Sequence, residues 1–169
     1  MSNKLAMIIP RNLSPHFTYK EAIASQIAAR YKLDNSIPTK ELLDAAINTA
    51  NNMELVRTLL GSNPIRVSSW FRCIALNRFL GSKDTSQHTK CEAVDFDCDS
   101  YGTPLEIVIA IVESDINFDQ IILEHDWVHI SFKIVASNNR RQVLTLLSNG
   151  RYAKGITNKV GKAHPKWVS

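Results

Sequence analysis

No stretch of this 169-residue chain stays apolar for long enough to cross a bilayer. The apolar patch near its start, residues 5–10, is too short for the core of a signal peptide, so synthesis and retention in the cytoplasm are expected. Cysteine is scarce. Three thiols cannot all pair with one another and their spacing fits no disulfide framework, so all three are expected to be free. Internal repeats, heptads and low-complexity tracts are missing too, which removes solenoids, coiled coils and disordered linkers from consideration. Acid is absent from residues 133–169, where eight lysines and arginines fall. Residues 84–126 are the reverse, with eleven carboxylates and a single base, Lys90. An acidic middle suits a bound cation, and a basic tail suits an anionic polymer or simply a solvated surface.

What is present is the composition of an ordinary globular protein, 44% hydrophobic and 21% charged with a net charge of +4, at a length suited to one domain. Three parts are expected within it: a helical scaffold (1–61), a sheet region (62–147) and a basic tail (148–169) that looks loosely ordered. Thr18 and Glu21 form a capping box opening a helix that runs to about Tyr31. Thr39 caps a longer helix whose apolar stripe includes Leu42, Leu43, Ala46, Ile47, Ala50 and Met53, and Gly61 stops it. Residues 65–69 read as a strand and 72–80 as a helix. A second capping box, Thr103 with Glu106 around Pro104, starts another helix. Residues 92–98, 120–124, 127–132 and 142–147 read as strands. The fold class expected is α+β, with a small, mostly antiparallel sheet packed against N-terminal helices.

Two of those strands carry the chemistry. In residues 92–98, Val94 and Phe96 alternate with Ala93, Asp95 and Asp97, so burying the apolar face turns Asp95 to the other side. In residues 127–132, Val128 and Ile130 alternate with Trp127, His129 and Ser131. If the two strands are neighbours, Asp95 and His129 meet, and His88 reaches the same point from the loop before the first strand. Two imidazoles and a carboxylate are a credible zinc site with a fourth position left for water, whose pKa bound zinc lowers to about 7. Asp126, three residues before His129, is the candidate base, with Glu124 as its rival. Trp127 is a candidate apolar wall for substrate or a packing residue, and Ser86 either contacts substrate or holds the loop. His125 is expected outside the ligand set.

The pattern Ser86-x-His88, Ala93-x-Asp95 and Asp126-x-x-His129 resembles the zinc D-alanyl-D-alanine carboxypeptidases and phage L-alanyl-D-glutamate endopeptidases that share a hedgehog-like fold. Ser69-Trp70-Phe71-Arg72 is similar to an upstream motif of that family. The resemblance covers about residues 65–132. It implies a Zn2+-dependent peptidase acting on peptidoglycan stem peptides, with His88, Asp95 and His129 as ligands, Asp126 as base and Arg72 stabilising the oxyanion. The family's glycines stand here as Trp70 and Cys91. Glycine tolerates positive φ where other residues are strained, and a Cys91 thiolate entering the metal shell would leave a structural, inactive zinc.

With no export signal, the resemblance to phage enzymes further implies a monomeric endolysin that reaches the wall after another protein permeabilises the membrane. On that reading the basic tail helps hold it on anionic envelope polymers. The alternative kept open is a non-catalytic wall-binding or virion structural protein that retains the fold. Nucleic acid is not the expected partner, because the basic tail lacks an aromatic-basic binding motif.

Overall fold

The computed structural model describes residues 7–164, so the first residues of the N-terminal apolar patch and the last five of the basic tail lie outside it. The capping box at Thr18 forms as expected and starts α1 (Tyr19–Ile23), but the helix does not continue to Tyr31. It breaks at Ala24, and Ser25 caps a separate α2 (Gln26–Arg30) by accepting a hydrogen bond from the Ala28 amide. α3 (Lys40–Leu59) is capped by Thr39, and it buries Leu43, Ala46, Ala50, Met53 and Val56, spaced to share one face. Gly61, with φ 75°, lets the chain leave this helix. α4 is shorter than expected, Ile74–Phe79, because Cys73 is its cap and Arg72 stands outside it.

Among the described residues six strands make one sheet: β1 (Arg66–Ser69), β2 (Ala93–Asp97), β3 (Gln120–Leu123), β4 (Val128–Ser131), β5 (Gln142–Leu146) and β6 (Tyr152–Lys154). Their order is β1-β2-β4-β3-β5-β6, and every pairing is antiparallel except β3 with β5. The expectation of a loosely ordered tail is therefore corrected at residues 152–154, whose β6 pairs with β5 and lengthens the sheet by one strand. β5 and β6 form a hairpin, so the preceding strand supplied the hydrogen-bonding edge that the tail's own composition did not advertise.

Register explains how the sheet acquires two unlike faces. Val94 lies opposite Ile130, and Ile130 opposite Ile121, all buried. This row belongs to the core that α3 and α5 (Pro104–Glu113) complete with Met53, Val56, Ile107 and Ile111. One residue further along, Asp95 lies opposite His129 and His129 opposite Ile122, and these necessarily point to the other face. A slip of one residue in either pairing would bury the charged row in the core.

Loop residues are fixed by one buried side chain. Asn35 donates to the carbonyls of Ile23 (2.9 Å) and Phe71 (3.0 Å) and accepts from the Cys73 amide (2.8 Å), tying the end of α1 to both sides of Arg72. Replacing Asn35 with leucine leaves three backbone groups without their partner in a buried place. The expected loss is about 2–4 kcal/mol of unfolding free energy, read as a shift of the denaturant midpoint. A change below about 0.5 kcal/mol would contradict this role.

Candidate metal centre and cleft

His88 sits in the short 3-10 turn Gln87–Lys90, which Ser86 caps through its hydroxyl. Its Nδ1 lies 2.7 Å from the Trp70 carbonyl oxygen. A carbonyl only accepts, so Nδ1 carries the proton and Nε2 is the nitrogen left with a lone pair that could bind a metal. That Nε2 lies 3.2 Å from Asp95 Oδ2. Asp95 Oδ1 lies 2.9 Å from His129 Nδ1, across the β2–β4 pair. One ligand atom from each of His88, Asp95 and His129 falls within 4.8 Å of the others, and all three residues are buried. The expected convergence of these three side chains is what the fold produces.

Two influences prepare the donors. Burial pushes the His88 imidazole below its ordinary pKa, against the pull of Asp95, and so favours the neutral ring a metal requires. Burial alone would raise the Asp95 carboxyl, but the adjoining His88 and His129 hold it well below the usual carboxylate range. Arg72 helps orient it: Nη2 donates to Asp95 Oδ2 (2.8 Å) while Nε donates to Ser69 Oγ (2.9 Å), and the Arg72 amide donates to the His88 carbonyl. Two imidazole nitrogens and a carboxylate oxygen, with no sulfur, suit a divalent ion of the zinc type. These donors fit a metal on their chemistry and their spacing.

Cys91 takes no part in this group. It has φ 57°, the left-handed conformation that glycine would adopt without strain, and it ends the 3-10 turn with its side chain wholly buried in the core. Burial pushes its thiol up to about 12, with the Glu92 charge adding to the effect. Trp70 and Cys91, the two residues standing at the family's glycine positions, are joined. The Trp70 indole N–H donates to the Cys91 carbonyl (3.3 Å), and Thr49 from α3 donates to the same oxygen (2.9 Å). Edge-on packing against Phe17 completes the seat of Trp70.

The three donors line a cavity of about 810 Å³ together with Arg72, Ser86, Trp127 and Glu124. Asp126 does not line it. That carboxylate is exposed on the turn between β3 and β4, whereas Glu124, at the end of β3, is half-buried within the cavity wall. Burial raises the Glu124 pKa and the Asp95 charge raises it further, while His129 draws it back. His125 is exposed and absent from this wall. Ser86 has its hydroxyl turned to the His88 amide (3.4 Å) as a cap. Among the cavity residues that the sequence did not place at the site are Tyr152, on the strand β6 hidden in the tail, and Arg140, anchored beside the cavity by the buried Asp119. Asp119 was visible only as one acid among many, and its burial depends on tertiary packing.

Substituting His88 or His129 with alanine is expected to weaken binding of one divalent ion by more than about 100-fold in calorimetric titration. Cys91→Ser is expected to leave it unchanged, and Cys91 is expected to resist alkylation in the folded protein. Metal affinity lost with Cys91→Ser, or kept without His129, would overturn this donor set. No curated protein matches the chain. The family model for Peptidase M15 matches residues 15–131, a span that holds all three donors, Arg72 and Glu124. With that match over most of its length, and with the histidine–aspartate–histidine group in its cleft, the chain belongs to the M15 family of metal-dependent peptidases.

Proposed function

We propose that this protein is a zinc-dependent peptidase that hydrolyses a peptide bond in peptidoglycan stem peptides. The observation that carries the reading is the meeting of His88, Asp95 and His129 in the wall of one open cavity that also presents Arg72 and a half-buried carboxylate. Zinc held by the two imidazoles and Asp95 would polarise the scissile carbonyl and lower the pKa of water.

The remaining work falls to the chain's own side chains. Glu124 is the better placed base, since it lines the cavity and its raised pKa suits it to accept a proton from water and return it to the departing amine. Asp126, favoured by its spacing to His129, would have to act from an exposed turn outside the cavity wall. Arg72 holds Asp95 in place through Nη2, and its positive charge offsets the negative charge that builds on the carbonyl oxygen. Trp127, 36% exposed, offers an aromatic wall to the peptide. Burial of Cys91 away from the donors favours a catalytic rather than a merely structural metal.

An endolysin role follows if the enzyme is released onto the wall by a membrane lesion. Among the described residues no helix is long and apolar enough to cross a membrane. Of the basic residues after β4, Arg140 is held at the cavity by Asp119 and Arg141 is bonded to backbone carbonyls. Arg151, Lys154, Lys159 and Lys162 are exposed and are the ones to hold an anionic envelope polymer.

Digestion of a defined muropeptide, followed by mass spectrometry of the fragments, tests the activity. Glu124→Gln is expected to lower kcat by about 10²–10⁴-fold while metal content is kept. Asp126→Asn is expected to stay within a few-fold of the parent. The reverse ranking would return the base to Asp126, and sedimentation with wall material without any new amine termini would make the protein a binder.

A further inference from the structure

Strand register divides the cleft lengthwise. Beside the row of Asp95, His129 and Ile122 runs a row formed by Ala93, Ser131, Gln120 and Gln142, on the same face of the sheet. Beyond His129 in the opposite direction lie Glu124, Trp127 and Tyr152. The two ends differ in charge. At the Ser131 end, Lys90, Lys133 and Arg140 all line the cavity.

These three cations arrive from separate elements and are set there by buried anchors. Arg140 makes a two-point pair with Asp119, Nε to Oδ1 at 2.8 Å and Nη2 to Oδ2 at 2.7 Å, and the Asp119 side chain is completely buried. The Arg140 side chain remains 53% exposed, so its outer edge faces solvent. Gln87 also donates to Asp119 (2.8 Å), which ties the turn carrying His88 and Lys90 to the same anchor. Lys133 pairs with Glu92 at 2.7 Å. Lys90 is exposed and has no anion assigned to it among the described residues. Three cations thus face two carboxylates, and one of those carboxylates is sealed from solvent. Gln120, joined to Gln142 at 2.5 Å, adds amide groups to the same wall.

We propose that this end of the cleft is a carboxylate subsite: Lys90, Lys133 and Arg140 bind a free carboxylate of the peptide and thereby set which bond lies over the metal centre. The proposal rests on the peptidase reading and deepens it. A stem peptide offers two such groups, the free carboxyl of an internal glutamyl residue and the carboxyl terminus. Binding the first makes the enzyme an endopeptidase, and binding the second makes it a carboxypeptidase. The site's chemistry is common to both, because guanidinium and ammonium groups donate charge-assisted hydrogen bonds to any carboxylate.

The test uses the peptide L-Ala-γ-D-Glu-L-Lys-D-Ala-D-Ala in three forms: both carboxyls free, the glutamyl carboxyl amidated, and the C-terminus amidated. Hydrolysis is followed with the zinc-loaded full chain, and binding is followed by calorimetry with the zinc-loaded Glu124→Gln chain. One amidation is expected to weaken binding and raise KM by about tenfold, the other to have little effect, and the sensitive carboxyl identifies the source. Lys90→Gln, which removes no anchor of the fold, is expected to shrink that preference about threefold, and Lys90→Gln with Lys133→Gln to shrink it further, leaving what Arg140 supplies. Equal handling of all three peptides by the parent chain would overturn the subsite, as would a preference undiminished in the double variant. Discrimination in binding without hydrolysis of any form would uphold the subsite and defeat the peptidase reading instead.

Discussion

The pairing of Asp95 with His129 across β2 and β4 is the constraint on which the site depends. These strands come from distant parts of the chain, and each is patterned so that only one register puts its apolar residues into the core. Core formation and site formation are therefore one event. The hydrophobic drive that seats Val94, Phe96, Val128 and Ile130 against α3 and α5 also brings a carboxylate and an imidazole to 2.9 Å on the far face. His88 is added by a turn whose capping, by Ser86, is local, and whose anchoring, through Trp70 and Gln87, is tertiary.

Around this pair the structure spends its buried polar groups on orientation. Trp70 fixes the tautomer of His88 through its carbonyl and holds the Cys91 carbonyl through its indole, so one residue steadies both ends of the turn. Arg72 spans Ser69 and Asp95. Asp119 gathers Gln87 and Arg140 at one end of the cleft. Each contact limits how far a donor can wander, which is what a metal site asks of the residues behind its ligands. Large side chains at Trp70 and Cys91 are tolerated because one is wholly enclosed by packing and the other accepts a left-handed backbone without entering the ligand group.

Much of this was legible in the sequence, for reasons that differ by element. Alternation in residues 92–98 and 127–132 showed which face Asp95 and His129 would occupy, and the capping boxes at Thr18 and Thr103 located two helix starts. Long-range partners were harder. The break at Ala24 carries no glycine or proline, so nothing local announced that α1 would stop. β6 lacks alternation over a useful length, since it is three residues long and depends on β5 for its hydrogen bonds. Spacing alone does not say which of Glu124 and Asp126 faces the cavity, because Glu124 directly follows β3 while Asp126 stands further round the bend, and only the folded chain shows Glu124 in the cavity wall.

The claim that three side chains and no sulfur hold the metal is tested most directly by X-ray absorption at the zinc edge of the loaded protein. The account predicts a shell of nitrogen and oxygen scatterers alone, at about 2.0–2.2 Å, with an imidazole contribution equivalent to two histidines. A sulfur scatterer at about 2.3 Å would put Cys91 on the metal and contradict the account.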